Sequence, residues 1–249
     1  MTPDGTLSQD LGHGTELEPR VTQLLPVMPL HAITVMHGEA GLRERLLLET
    51  LSLPSGDRGR VRDALALAAR LHAGDRRQRE PYANHPLRVA IRILSHYRVR
   101  DPDVACAALL HDTVEDHAAD FAAGTPQGAL RALARMFGAR TAGLVEAVTN
   151  PAWEPGRDRD EQYREHVAAS LEGCPWARVI KASDFTDNAV GLFHTSGPKL
   201  ARLAGKYRPL GPVLRELILR PDTPLDPGVK DKIAAQLDDA EGRFAAILR

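Results

Sequence analysis

Apolar residues recur at helical spacing along most of the chain. Within 61–71, valine, leucine and alanine return every three or four positions, which places them on one face of a helix. The same period predicts further helices near 126–137, 139–149, 159–172, 177–193, 198–219 and 228–248. The helical pattern begins at about Gly41, and alternation typical of strands is scarce. The pattern therefore predicts an all-α domain.

Polar residues and prolines mark where the central helices begin. The polar stretch 76–84 predicts a loop, after which Pro86 suits the first turn of a helix. Asp101 is placed to cap the next helix, with Pro102 at its first position. That helix carries an apolar run which ends at His111.

The N-terminal region has a different composition. Residues 1–22 are rich in Gly, Thr, Asp and Pro, which predicts poor order. Residues 23–36 are apolar but interrupted by two prolines, and they could pack on the same chain or on a second subunit of a homo-oligomer. We therefore divide the chain into an irregular, partly disordered N-terminal arm, 1–40, and a helical domain, 41–249.

Composition narrows the choice of partners. The chain has 32 basic and 33 acidic residues, so its net charge gives no reason to expect DNA binding. Only two cysteines are present, which fits a reducing, cytoplasmic location. No apolar run reaches the ~20 residues needed to cross a bilayer, and we expect no membrane contact.

The clearest chemical feature is a cluster at the end of the apolar run before His111. Asp112, Glu115 and Asp116 follow that imidazole, and on a helix His111 and Glu115 lie one above the other. Burying these groups without compensation would cost free energy. A bound cation removes that cost, because it stabilises carboxylate charge and accepts the imidazole lone pair.

Two other segments carry weaker signals. Arg76, Arg77 and Arg79 precede His85 at a junction between loop and helix, and guanidinium groups match phosphate oxygens. Further along, Lys181, Asp184 and Asn188 share one face of a predicted helix. Asp184 follows an apolar stretch, which points it towards a buried site.

Taken together, these segments resemble the hydrolase domain of the RelA/SpoT alarmone hydrolases, within the HD superfamily. The stretch from His72-Ala-Gly-Asp-Arg-Arg77 to His85-Pro86 is similar to the family's first metal-ligand segment. His111-Asp112-Thr-Val-Glu115-Asp116 matches its HDxxED motif, and Lys181-Ala-Ser-Asp184 through Asn188 resembles its KLADRLHN segment. The resemblance covers about residues 58–220, in the family's order.

The resemblance implies roles for individual residues. It implies an HD-superfamily helical domain whose metal ligands are His85, His111, Asp112 and Asp184, with Mn²⁺ as the usual ion. It makes Glu115 and Asp116 the catalytic residues that activate or shuttle protons for the attacking water. It implies a nucleotide substrate bound by Arg76, Arg77, Tyr163, Arg164, Lys181 and Asn188.

The implied reaction removes the 3′-pyrophosphate of ppGpp or pppGpp, by a stand-alone small alarmone hydrolase. The chain departs from the family in a shorter 78–80 loop, and in Phe185 and Asp187 where the family has Arg and His. We expect these changes to alter the nucleotide side of the pocket. Three alternatives follow: a 3′-pyrophosphate on tRNA as substrate, in an antitoxin with a toxin partner; NADPH as substrate; or a nucleotide-binding module without catalysis.

Overall fold

A computed structural model describes residues 19–77, 80–189, 192 and 197–249. The described chain is helical apart from one short hairpin, so the predicted all-α class is confirmed. The helices are α1 (Pro19–Leu24), α2 (Leu30–Thr50), α3 (Ser55–Leu71), α4 (Asn84–Ser95), α5 (Pro102–Leu110), α6 (Thr113–His117), α7 (Pro126–Phe137), α8 (Ala139–Val148), α9 (Arg159–Glu172), α10 (Pro175–Asn188), α11 (Pro198–Tyr207), α12 (Leu210–Leu219) and α13 (Pro227–Ile247). Short 3₁₀ turns cover Leu25–Val27 and Ala118–Asp120.

Helix α5 forms the centre of the fold. Each residue from Val104 to Leu110 is at most 1% exposed, because α3, α4, α8 and α10 all pack against this helix. Four of these residues are alanine or cysteine, and such small side chains let neighbouring helices approach from several sides. Because α5 is buried on every face, His111, which follows its last turn, is also buried.

The start of α5 is set as its sequence predicts. Asp101 lies just before the helix, and its carboxylate accepts the backbone amides of Asp103 and Val104 at 3.0 and 3.4 Å. Pro102 occupies the first turn, where its missing N–H costs no intrahelical hydrogen bond. The cap fixes where α5 begins, and the helix ends at Leu110, directly before His111.

The N-terminal region contains more helix than its prolines suggest. Helix α2 begins at Leu30, about eleven residues before the expected start of the helical pattern, and packs on α4. Leu25 and Ile33 are fully buried in the core. Gly38 lies inside α2 at φ 57° and ψ −146°, a conformation that glycine adopts without a Cβ clash. The burial of Leu25 and Ile33 against the rest of the domain outweighs the effect of the two prolines that interrupt the local pattern.

The other differences from the predicted elements lie at helix ends and in the 76–84 loop. The predicted helix 198–219 is two helices, α11 and α12, because Pro209 lacks the amide needed to continue the first. Helix α10 ends at Asn188, short of the expected 193, and 190–191 lie outside the described residues. In the expected loop 76–84, Arg76–Arg77 (β1) pairs antiparallel with Glu80–Pro81 (β2). No helix in the described ranges combines the length and apolarity that a membrane span requires.

Candidate metal and active site

Three helices bring the four predicted metal ligands together. His85 lies in the first turn of α4, and Asp184 lies on α10, which packs against α4. His111 and Asp112 follow the last turn of α5. His85, His111 and Asp184 are all buried, and Asp112 is partly exposed. We call these four residues the primary cluster.

The donor atoms of the primary cluster converge. Nε2 of His85 lies 3.2 Å from Nε2 of His111 and 3.2 Å from Oδ1 of Asp184. Oδ2 of Asp112 lies 3.1 Å from Nε2 of His111 and 3.7 Å from Nε2 of His85. The remaining distance, from Nε2 of His111 to Oδ1 of Asp184, is 3.8 Å. Two imidazole nitrogens and two carboxylate oxygens this close are a donor set that fits one divalent cation.

Hydrogen bonds on the far side of each ring orient both imidazoles for a cation. Nδ1 of His85 donates to Oδ2 of Asp187 at 2.8 Å, and Nδ1 of His111 donates to the carbonyl of Ala108 at 2.9 Å. With Nδ1 carrying the proton, the lone pair of each Nε2 points into the cluster. Both rings are therefore oriented with Nε2 towards the point where a cation would bind, and a cation there would displace the proton that a pKa of about 9 leaves on His111.

The charges in the primary cluster favour a cation. Burial lowers the pKa of His111, but Asp112 and Asp184 outweigh it and raise that pKa to about 9. Burial raises the pKa of Asp184, yet the charges of the Lys181 ammonium and of the His111 imidazole hold it well below its usual range. The site thus keeps its carboxylates ionised and attracts positive charge at the point where the donor atoms meet.

Asp184 is held by two residues that we predicted to bind substrate. Lys181 donates to Oδ2 of Asp184 at 3.0 Å, and Asn188 donates to Oδ1 at 2.5 Å. All three side chains project from one face of α10, as the spacing predicts. The geometry places Lys181 and Asn188 in contact with Asp184, a predicted metal ligand, and their contact with substrate stays a prediction.

Asp187 lies behind His85, which the sequence analysis did not foresee. Its carboxylate is 5% exposed and also accepts Nε and Nη2 of Arg88, both at 2.9 Å, and Nη2 of Arg92 at 3.2 Å. Burial raises the pKa of Asp187, but the hydrogen bond from His85 and the charge of Arg88 hold it well below its usual range. Asp187 therefore lies behind His85, a predicted metal ligand, and its expected effect on the nucleotide side of the pocket stays a prediction.

Phe185 also differs from its expected role. The side chain is 3% exposed and meets the ring of Tyr207 edge-on, with centroids 5.8 Å apart. It is therefore part of the core between α10 and α11. A phenylalanine at this position fills apolar space, and its burial could not be read from helix spacing alone.

The predicted catalytic carboxylates lie at the exposed edge of the cluster. Glu115 accepts Nδ2 of Asn150 at 2.8 and 3.0 Å, so a residue after α8 fixes this carboxylate. Desolvation, followed by the charges of Asp112 and Glu115, raises the pKa of Asp116 to about 6. Asn150 was missed from sequence, because it lies 35 positions from Glu115 and belongs to none of the three motif segments.

Tyr82 is a second residue that sequence reasoning passed over. Its hydroxyl donates to Oδ2 of Asp112 at 2.5 Å. Burial, followed by the charge of Asp112, raises the pKa of Tyr82 far above its usual value, so the phenol stays protonated and remains a donor. Its place just before His85 in the sequence was the available signal.

The structure places some of the remaining predicted substrate-binding residues near the primary cluster and others at the surface. Tyr163 is buried, and its ring faces Nζ of Lys181 at 5.3 Å and Nζ of Lys206 at 4.6 Å from the centroid. Arg77 lies on β1. Its positive charge lowers the pKa of Tyr82, although burial raises that pKa by more. The structure brings Tyr163 and Arg77 to the site region; Arg76 is exposed on the same strand.

Arg164 is less clearly placed. It is partly exposed and follows Tyr163 on α9, where neighbouring side chains diverge by about 100°. No ion pair of Arg164 occurs within the part of the chain that the structure describes. Gln78 and Arg79, in the shortened loop, lie outside the described residues.

Three buried polar atoms in the site region are unsatisfied. Within the described ranges, Oδ1 of Asn150, Oδ1 of Asn188 and Nε2 of His166 have no hydrogen-bond partner. Asn150 and Asn188 contact Glu115 and Asp184, and the charges of Lys181 and Glu115 act on His166. Buried polar groups normally have partners, so these atoms fit a site that receives a polar ligand.

Comparison with known proteins defines the class. A family described as HD domain matches residues 64–172, a range that holds three of the four primary-cluster residues. Among solved structures, one described as a metazoan ortholog of SpoT that hydrolyzes ppGpp superposes with a TM-score of 0.57 and covers 74% of this chain and 94% of its own. At 23% identity that likeness shows the fold.

Curated relatives narrow the class. Guanosine-3′,5′-bis(diphosphate) 3′-pyrophosphohydrolase MESH1 of Xenopus tropicalis is 35% identical over 134 residues, covering 52% of this chain and 68% of the relative. The zebrafish (Danio rerio) and human proteins of the same name are 39% and 37% identical, and the matches cover 42% and 49% of this chain. The chain belongs to the HD-domain family of MESH1-type proteins. It spans 51% of the zebrafish relative's length and 63% of the human one's.

Proposed function

We propose that the protein hydrolyses the 3′-pyrophosphate of the guanosine alarmones ppGpp and pppGpp, giving GDP or GTP and pyrophosphate. The observation that carries the proposal is the primary cluster, in which both imidazoles present Nε2 to two carboxylate oxygens. Curated relatives that share 35–39% identity are named for this reaction. Their names favour the alarmone over tRNA or NADPH.

We further propose Mn²⁺ as the cation, held by His85, His111, Asp112 and Asp184. A mixed set of imidazole and carboxylate donors suits Mn²⁺, whereas a thiolate-rich set would favour softer ions. When bound, a divalent cation supplies Lewis acidity that lowers the pKa of water and polarises phosphoryl oxygens. The chain's own contribution is to bury three of the four residues, His85, His111 and Asp184, and to fix the ring orientations.

Glu115 and Asp116 are proposed to handle the protons. In the overall reaction water adds to phosphorus, the bond to the ribose 3′ oxygen breaks, and that oxygen takes up a proton. A carboxyl group with a pKa near 6, as for Asp116, can accept and return a proton near neutral pH. Asn150 holds Glu115 in place, which supports a catalytic role over a purely binding one.

Substrate recognition is proposed to use the positive and aromatic groups around the cluster. Lys206 and Lys181 both lie against the face of Tyr163, and Lys206, which is partly exposed, offers a positive group suited to phosphate oxygens. The unsatisfied Oδ1 of Asn188 is free to accept a hydrogen bond from a ribose hydroxyl or a base amino group. Arg76, Arg77 and Arg164 are proposed as further phosphate contacts.

A substrate panel tests the proposal. Purified protein with Mn²⁺ is assayed against ppGpp, tRNA bearing a 3′-pyrophosphate, and NADPH, beside His111→Gln and a matched surface variant, His96→Gln. We expect the highest kcat/KM for ppGpp, loss in His111→Gln and full activity in His96→Gln. Faster turnover of tRNA or NADPH, or turnover that survives His111→Gln, would contradict it.

Other expectations stay predictions from the sequence. They are a cytoplasmic location, a second subunit docking on the apolar side chains that stay exposed within 23–36, and a toxin partner. Sedimentation of the purified protein would test the second of these.

A further inference from the structure

A second group of metal-ligating side chains lies outside the primary cluster. His72 follows α3, Asp75 lies before the hairpin, and His117 ends α6. Oδ2 of Asp75 lies 2.8 Å from Nδ1 of His72 and 2.7 Å from Nε2 of His117. The two nitrogens are 3.1 Å apart. We call these three residues the outer cluster, and the proposed reaction uses none of them.

Protons alone do not satisfy the outer cluster well. If both ring nitrogens donate to Oδ2 of Asp75, their hydrogens crowd each other, because the nitrogens are only 3.1 Å apart. If one nitrogen is unprotonated, Asp75 faces a lone pair at hydrogen-bond distance. A cation in contact with all three atoms uses every lone pair and removes both conflicts.

The outer cluster is also held in place by groups around it. Nδ1 of His117 donates to Oδ2 of Asp120 at 2.8 Å, which leaves the Nε2 lone pair directed at Asp75. His72 is 3% exposed, and its ring stacks on Tyr82 with centroids 4.5 Å apart. The carboxylate behind one histidine and the stacked ring against the other limit the motion of both ligands, as in built metal sites.

We propose that His72, Asp75 and His117 bind a second divalent ion, of the Zn²⁺ class. Two imidazoles and one carboxylate are the three-ligand set of zinc sites that keep a coordination position open. Asp75 is 38% exposed at its side chain, so the site has an entry from solvent. A free position facing solvent can take water or a phosphate oxygen.

Tyr82 connects this site with the primary cluster. Its ring stacks on His72, and its hydroxyl donates to Asp112. An ion that fixes His72 also fixes the face against which Tyr82 packs, so occupancy of the outer cluster helps to orient one ligand of the primary cluster. The ion thereby acts as a structural support for the adjacent site.

Metal content separates the two sites. Metal-stripped protein is dialysed against buffered Zn²⁺, and bound metal is counted by mass spectrometry; Co²⁺ loading gives an independent absorption spectrum. The variants are His117→Gln and Asp75→Asn for the outer cluster, His85→Gln for the primary cluster, and His96→Gln as matched control. Asp75 lies in a loop, so its variant keeps the proposal testable if His117→Gln fails to fold.

We expect two equivalents of metal in the wild type and in His96→Gln. One equivalent should remain in Asp75→Asn and His117→Gln, with the affinity of the lost site reduced at least tenfold, and one in His85→Gln. The double variant of His85 and His117 should hold none. Metal content that stays at the wild-type value in both outer-cluster variants, whether that value is one equivalent or two, would overturn the proposal.

Discussion

Replacing Asp187 by asparagine should weaken cation binding at the primary cluster without removing any ligand. The two carboxylate oxygens of Asp187 face donors only: His85 and Arg88 on Oδ2, and Arg88 and Arg92 on Oδ1. Asparagine turns one of these oxygens into an NH₂ group, which cannot accept. One set of donors must then give way.

The structure indicates which donors give way. Arginine cannot lose its proton near neutral pH, but neutral histidine can move its proton from one ring nitrogen to the other. At the Oδ2 position the NH₂ group meets one arginine donor, from Arg88, whereas at Oδ1 it would meet two. The asparagine NH₂ should therefore face Nδ1 of His85, and the proton should move to Nε2. In that tautomer Nε2 has no lone pair for the cation.

The expected loss of metal affinity can be taken from other sites in which a hydrogen-bond partner orients a histidine ligand. Losing the group that orients a metal-bound histidine typically costs about 10–100-fold in metal affinity, or about 1.4–2.8 kcal/mol. We expect Asp187→Asn to raise the Kd for Mn²⁺ within this range. Isothermal titration of metal-stripped protein measures it, with Asp231→Asn, an exposed acid on α13, as control. A Kd within twofold of wild type in a folded Asp187→Asn protein would refute the tautomer argument.

Three further perturbations test other parts of the structure. Asn150→Ala should lower kcat without changing metal content, because it frees Glu115; an unchanged kcat would contradict that role. Arg178→Met should reduce the free energy of unfolding in urea by about 2–4 kcal/mol, since each buried acceptor left without a donor costs about 1–3 kcal/mol; Arg178 is fully buried and donates to two backbone carbonyls and to Asp222. The depressed pKa of Asp187 stabilises the fold above the unfolded value of about 3.9, and this stability is lost as pH falls from there through the lower folded pKa. The unfolding free energy of metal-free wild type should therefore drop more steeply on acidification than that of Asp187→Asn, and parallel curves would contradict this.

A matched control separates burial from charge in the Arg178 experiment. Arg215 pairs with Asp238 on the surface, where both side chains are largely exposed. Arg215→Met should change the free energy of unfolding by less than about 1 kcal/mol, because exposed ion pairs contribute little. A loss as large as that in Arg178→Met would show that general charge, and not the buried contacts, sets the effect.

The sequence predicts the centre of the site better than its surroundings. His111 and Asp112 follow an uninterrupted apolar run, so local pattern alone places a polar pair in the interior. His85 and Asp184 needed the order of family segments, because no local pattern distinguishes a buried ligand from an ordinary surface residue. The converging distances then depend on how α4, α5 and α10 pack, which spacing within one helix does not specify.

Supporting residues are harder to predict for the same reason. Asp187 contacts His85 across 102 positions, and Asn150 contacts Glu115 across 35. Both partners depend on tertiary packing, and a carboxylate on a buried helix face looks locally like one that faces a ligand. The early start of α2 has a related cause, since burial of Leu25 and Ile33 outweighs the prolines near them.

The most direct test of the central claim is pyrophosphate release from ppGpp by metal-stripped protein with and without added Mn²⁺. Wild type and Asp112→Asn are compared, with His96→Gln as control and metal content counted in each sample. We predict release only in Mn²⁺-loaded wild type and control, and background release with reduced metal content in Asp112→Asn. Release by stripped protein, or by Asp112→Asn at the wild-type rate, would contradict a metal-dependent hydrolase centred on the primary cluster.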